Sequence, residues 1–427
     1  MNLPRLHART VTVALAVALV TSPGLLSGCG APSGASGGAA SPCPAPGLGP
    51  GPGVAPGAIK IGLALSDSGP AAVVDAFKGV RGAVDARVDL QNARGGVGGR
   101  RIDLVWQDDQ ASAAGFSSAV RRLVDRERVF GLIALTVAFG GSAAWLQKKN
   151  VPVTGFASSA EWSEYPNAFH FGSLFNKGTV STFGDYVKAE GGTKAVVVVD
   201  PSAATSPTLV TALSASLRSR GVQVVDQVDF THEISSASSV ADELKQSGAD
   251  ALVGSAQAAD FIDIYARAKD LGVGINVALN AAGYSSSLLE TFGPKMAGMT
   301  TISTFAAPGS PAMTAYDNAM TTYSPEMTDP SDEIAIAAYV AADEMIHGLE
   351  LAGPCPTRAE FIERLRRVTD FTGSGLMPPV DLSKPRAPVL CENFIKADPT
   401  GRGFTAVRPP AEFDHDGYWC GQPVPGG

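Results

Sequence analysis

The sequence predicts an α/β protein of two domains, each a parallel sheet with helices on both faces. Three observations carry that expectation. Short β-branched runs alternate with segments whose apolar residues recur every three to four positions, the pattern of repeated βα units. The rhythm starts near residue 59 and restarts near residue 195, so there are two runs of units and two domains. The 427 residues are 45% hydrophobic and 17% charged, a composition that can bury the cores of two or three domains.

The first run opens with residues 59–65 (IKIGLAL), which alternate and read as a strand. Phe77, Val80, Val84 and Val88 fall at helical spacing, so residues 75–92 form an amphipathic helix. The glycines of residues 94–99 make a tight turn, and Ile102, Leu104 and Trp106 alternate in a second strand over 101–107. Phe116, Val120, Leu123 and Val124 mark the next helix; residues 129–135 and 151–153 are buried strands. In the second run, residues 195–199, 222–228 and 250–253 read as strands. Helices follow over 209–218, around Val240 and Leu244, and from Phe261 to Leu271. Open sheets of this kind bind ligands beyond the carboxyl ends of their strands. The candidate loops are therefore residues 66–70, 136–141, 155–159, 200–205, 254–257 and 280–284.

The amino terminus reads as an address. Residues 1–10 carry Arg5, His7 and Arg9 and no acid, and residues 11–20 (VTVALAVALV) are uncharged and too short to span a bilayer. Leu25-Leu26-Ser27-Gly28-Cys29 follows, which resembles the bacterial lipobox, so Cys29 is expected to be lipidated and to anchor the chain to the outer face of the membrane. Residues 30–57 are Gly, Ala, Ser or Pro except at Cys43, Leu48 and Val54, a composition that builds no core and serves as a tether. The first acid is Asp67, so folded sequence is expected from residue 58.

Four further cysteines, Cys43, Cys355, Cys391 and Cys420, suit disulfides in an oxidising compartment and allow three pairings. Cys355–Cys391 with Cys43–Cys420 is the preferred set: the first pair encloses a continuous segment and the second joins two sparse ends. No metal is expected, because there is no C-x-x-C and no paired histidine. The net charge is −8 and no Lys/Arg-rich run occurs, which excludes a nucleic-acid partner. No nucleophile elbow, phosphate loop or zinc motif is present, and no cofactor is expected. Asp108-Asp109 could serve acid–base chemistry, but the favoured reading is a strand-end turn with helix-capping carboxylates.

An ordered series runs through the body of the chain: Lys60-Ile61-Gly62, Ser68-Gly69, a helix ending at Asn92, the 95–100 GGVGGR, Asp108-Asp109, Arg122-Leu123-Val124 and Val151-Pro152-Val153. It continues with Gly248-Ala249-Asp250-Ala251, Ala266-Arg267-Ala268 and the 375–379 GLMPP. Together these resemble the leucine/isoleucine/valine-binding family of solute receptors for ABC importers. The resemblance implies the type I periplasmic binding arrangement: two Rossmann-like lobes joined by three crossover hinge strands, with ligand between them. The first lobe would hold residues 58–172 and 302–352, the second 173–301 and 353–410, with 411–427 as a tail. It also implies a monomeric receptor without catalysis, serving a permease, with a two-lobed sensor as the alternative.

Carried onto this chain, the ligand loops offer Asp67, Ser68, Thr136, Ala138, Phe139, Ala157, Ser158 and Ser159 in the first lobe, and Gln257, Asn280 and Tyr284 in the second. Family members that bind amino acids often place an acid opposite the ligand ammonium, yet residues 279–284 (LNAAGY) contain none. A buried ammonium without a carboxylate costs on the order of several kcal/mol. A less charged, more apolar ligand touching Phe139, Phe156 and Tyr284 is therefore expected, with Asp67 or Asp260 the nearest acids by loop should it carry an ammonium.

Overall fold

The computed structural model describes residues 51–172, 178–203, 206–231, 233–327 and 329–424, all within one compact unit. The leader, Cys29 and Cys43 lie outside the described residues. Among the described residues no helix is long and apolar enough to cross a membrane.

The first lobe is built from β1 (Ala58–Leu65), α1 (Ala71–Phe77), α2 (Val80–Ala93), β2 (Arg101–Asp108), α3 (Ala113–Arg121), β3 (Leu132–Leu135), α4 (Gly140–Lys148), β4 (Val153–Gly155) and β5 (Ala168–His170). The strands pair in parallel in the order β2-β1-β3-β4-β5. β3 reads LIAL and is buried throughout, as a strand covered on both faces must be. The helix expected over 75–92 is two helices. The break falls at Lys78-Gly79, where an added Cβ on Gly79 would sit 3.0 Å from the Ala335 Cβ, so glycine allows a close approach.

The second lobe contains β6 (Thr179–Val180), α5 (Thr182–Ala189), β7 (Lys194–Val199), α6 (Ser206–Ser219), β8 (Gln223–Asp229), α7 (Ala237–Ser247), β9 (Ala251–Ser255), α8 (Ala258–Asp270), β10 (Val277–Asn280), α9 (Ser286–Met296) and β11 (Met299–Ser303). The chain then returns to the first lobe with α10 (Pro311–Tyr323), α11 (Glu333–Ala352) and α12 (Arg358–Leu365), and crosses back at β12 (Cys391–Ala397). It ends with β13 (Phe404–Ala406), β14 (Asp414–His415), β15 (Tyr418–Cys420) and β16 (Pro423–Val424). The lobes are thus joined three times: after β5, after β11 and before β12.

Three boundaries differ from the sequence-based ones. The tether was expected to run to residue 57, but Gly51 already donates to the Pro356 carbonyl and Lys60 to that of Gly53. Gly53 has φ +78°, and an added Cβ there would lie 2.4 Å from the Phe130 nitrogen. Residues 353–390, expected in the second lobe, pack largely on the first. Phe361, Leu365, Phe371, Leu376 and Leu382 belong to its core, and Phe361 fills a notch over Gly348 of α11. The expected tail is part of the second sheet: β12 runs antiparallel to β11, β15 to β12 and β14 to β15. The sheet is therefore parallel through β11 and antiparallel beyond it.

The disulfide expectation is corrected by the same ladder. Cys391 and Cys420 stand opposite each other on β12 and β15, 4.0 Å apart at Cα, and are bonded to each other. Cys391 therefore does not pair with Cys355, nor Cys43 with Cys420. Cys355 follows α11 on the first lobe and is itself disulfide-bonded.

α11 runs through the centre of the first lobe and carries two buried acids. Asp343 is paired with Arg87 at 2.7 Å. Glu344 is fully buried and neither of its carboxyl oxygens accepts a hydrogen bond among the described residues. Burial pushes its pKa well up, with the Arg366 charge opposing and Asp343 adding to the rise. The folded state therefore retains a proton that the unfolded chain releases above its ordinary pKa of 4.5, so this group lowers stability as pH rises. Glu344→Gln is expected to remove that slope. Relative to the variant, the parent should lose about 1.4 kcal/mol per pH unit above pH 5 until Glu344 ionises. Urea denaturation from pH 5 to 8 measures this, and parallel curves for the two proteins would contradict it.

Candidate ligand-binding site

The two lobes enclose a cavity of about 330 Å³ at the hinge. On the first-lobe side it is walled by Phe156 and Ala157, just past β4, and by Phe171, just past β5. The second lobe contributes Phe183 of α5, Leu209 of α6, Ser255 at the end of β9, and Ala281 and Ala282 past β10. The crossings themselves supply Ile302, Thr304 and Phe305 after β11, and Pro388, Val389 and Glu392 at the entry to β12. Glu333 and Ile334, in the first turn of α11, complete it. Strand ends from both sheets meet here, as expected of open α/β sheets.

The walls are mostly apolar, with two carboxyls set among them. Glu392 is 8% exposed, and its Oε2 accepts from the Thr304 hydroxyl at 3.1 Å. Burial pushes its pKa up to about 8, against the Thr304 hydrogen bond and aided by Glu333. Burial likewise pushes Glu333 up to about 7, against a hydrogen bond from the Ser303 hydroxyl and aided by Asp332. No Lys, Arg or His is among the described residues that line the cavity.

Residues expected to contact ligand are placed unevenly. Ala157 lines the cavity, and its loop also brings Phe156. Ser158 instead donates to the Thr136 carbonyl at 2.7 Å, which ties the two loops together, and the Thr136 hydroxyl accepts from Ala138 at 3.0 Å within its own loop. Ser159 starts the 3₁₀ turn Ala160–Ser163. Phe139 is turned into the first-lobe core, 1% exposed and stacked on Trp162 with ring centres 4.1 Å apart. Asn280 is fully buried. Its Nδ2 donates to the carbonyls of Ala256 and Ala282 at 3.0 and 2.9 Å, which sets the loop presenting Ala281 and Ala282.

Tyr284 is buried against Phe404, Gln257 is the exposed residue before α8, and neither lines the cavity. Asp67 lies in a separate polar hollow with Arg81 and Glu326, while exposed Ser68 hydrogen-bonds to Asp108. Asp108 and Asp109 hold backbone amides: Asp108 accepts from Asp67, Ser68 and Gln110, and Asp109 from Ala111 and the Ser66 hydroxyl. They fix the strand-end turn, as expected, but cap no helix: the N-cap of α3 is Ser112, whose hydroxyl accepts from the Gly115 amide.

Two lobes, three crossings and an interlobe cavity define an arrangement that the sequence itself also matches. Residues 58–397 fit the family model described as periplasmic binding protein. The chain belongs to that family. A periplasmic binding protein works outside the cytoplasm and holds solutes rather than transforming them. No curated protein matches the sequence.

Among solved structures, it is similar to a putative branched-chain amino acid ABC transporter from Rhodospirillum rubrum, with a TM-score of 0.68 and 19% identity over 82% of this chain and 100% of that one. It is also similar to a solute-binding protein from R. palustris in complex with 4-hydroxybenzoate, with a TM-score of 0.65 and 18% identity over 86% of this chain and 98% of the other. A third is a fatty acid ABC transporter substrate-binding protein from Thermomonospora curvata, with a TM-score of 0.62 and 20% identity over 84% and 94%. At these identities the likeness is one of fold.

In this periplasmic binding protein the sequence reading missed Glu333, Glu392 and Thr304. Two signals were present. Glu392 is an acid within an otherwise largely buried strand, CENFIKA, and Glu333 opens a helix whose next nine residues are uncharged.

Proposed function

We propose that the protein is the solute-binding component of an ABC importer, held at the outer face of the membrane by a lipid on Cys29, and that it delivers a small apolar metabolite to the permease. The observation that supports this is the hinge cavity: about 330 Å³, walled by both lobes and mostly apolar. That volume lies at the small end of ligand sites, which suits a molecule the size of an amino acid, an amide or a single-ring aromatic. Because both walls come from one chain, a single copy suffices for capture. Closing the lobes about three crossings would bury the ligand and present both lobes to the permease together.

A thermal-shift screen of the purified protein against amino acids, amides, short acids and aromatic metabolites tests the reading. A ligand at one hundred times its Kd adds about 2.7 kcal/mol of stability. At least one apolar member is expected to raise Tm by several degrees, and leucine, isoleucine and valine to bind more weakly than about 1 μM. A folded protein whose Tm neither this panel nor an added set of simple amines moves would refute the proposal.

A further inference from the structure

Two carboxyls meet one apolar cavity with no cation among the described residues that line it. They come from different parts of the chain, Glu333 from the first turn of α11 and Glu392 from β12. Glu392 is more than nine-tenths buried, and its partner among the described residues is a neutral hydroxyl, that of Thr304. Neither acid forms an ion pair with a described Lys, Arg or His. The groups that face Glu333 are the Ser303 hydroxyl, Asp332, the Tyr284 phenol and Glu392; those that face Glu392 are Thr304 and Glu333. All are neutral or acidic. The apolar walls include four phenylalanines, Phe156, Phe171, Phe183 and Phe305, whose ring faces attract cations.

Resting on the reading of the cavity as the solute site, we propose that the solute is a small organic cation, an alkyl or aryl amine without a free carboxylate, whose ammonium is taken by Glu333 and Glu392 and whose apolar body fills the rest. An anion entering this site would face two acids of like charge and no described cation. A zwitterionic amino acid would satisfy its ammonium and leave its carboxylate opposed. An ammonium supplies the charge that both carboxyls lack, and it favours their ionised forms. With the pKa of Glu333 raised to about 7 and that of Glu392 to about 8, the free protein holds protons there that a bound cation must displace. Amine affinity therefore rises with pH across this range.

The experiment uses three probes of similar skeleton on the purified full chain: 2-phenylethylamine, 3-phenylpropionate and 2-phenylethanol, by calorimetry at pH 6, 7 and 8.5. The amine is expected to bind at least about 30-fold more tightly than the carboxylate at pH 8.5, and at least about 10-fold more tightly at pH 8.5 than at pH 6, the gain that ionising Glu333 alone supplies. In Glu392→Gln, and separately in Glu333→Gln, the amine's advantage over the alcohol should shrink by about 10-fold. A carboxylate that binds as well as the amine, or an amine affinity that is flat with pH, overturns the cation proposal and leaves the cavity as the solute site. Failure of all three probes, together with a silent thermal-shift screen, overturns both.

Discussion

Trp419→Ala is expected to cost about 3–5 kcal/mol, enough to unfold a marginal protein at body temperature. Trp419 lies eight residues from the end of the chain, yet it is 1% exposed. Its ring packs edge-on to Phe394 and Tyr186, with centres 5.6 and 5.3 Å away, and is stacked with Phe413. Its indole nitrogen donates to the Val407 carbonyl at 2.7 Å. Substitution by alanine leaves a cavity among three aromatics and an acceptor without its donor. Stopping the chain after Pro410 should cost at least as much, because β15 and its disulfide are then lost as well. Urea denaturation reads both, and a loss below about 1 kcal/mol would show that the carboxyl-terminal strands are an appendage.

Ala282→Trp is expected to weaken binding of the strongest ligand of the thermal-shift panel by at least about 100-fold, or about 2.7 kcal/mol. Ala282 is exposed and lines the cavity, so an indole there enters a space of about 330 Å³ without displacing core. The Tm of the unliganded variant should stay within a few degrees of the parent. Calorimetry on the two proteins decides it. Undiminished affinity in a folded variant would place the ligand elsewhere, whatever its charge.

The strands and the loops after them were legible because buried parallel strands announce themselves as apolar β-branched runs, and ligand loops follow at their carboxyl ends. Among the described residues, three of the six candidate loops reach the cavity, through Phe156 and Ala157, through Ser255, and through Ala281 and Ala282. Within those loops the roles were harder to read. Asn280 looked like a ligand group because it is polar at a strand end, yet its amide is used to hold its own loop. Phe139 looked like a lid, yet it sits directly before α4 and the neighbouring Trp162 draws it into the core. Glu333 and Glu392 were invisible as a pair because they are 59 positions apart in the sequence, and only the third crossing brings them together. β15, three residues long in a glycine-rich end, carries no periodicity to detect.

The discontinuity of the first lobe sets an order of assembly. Its core joins Ile59 to Leu382, so it cannot be completed until most of the chain has been made. The second lobe, by contrast, holds five consecutive parallel strands from β7 to β11 with nothing inserted between them. For a chain that emerges amino end first, β1 to β5 can cover one face early with α3 and α4, in a core running from Ala64 to Ala168, while the other face waits for α11. Contacts so distant in sequence close slowly, so the face of the amino-terminal sheet that awaits α11 is the part of the nascent chain that most needs shielding from aggregation.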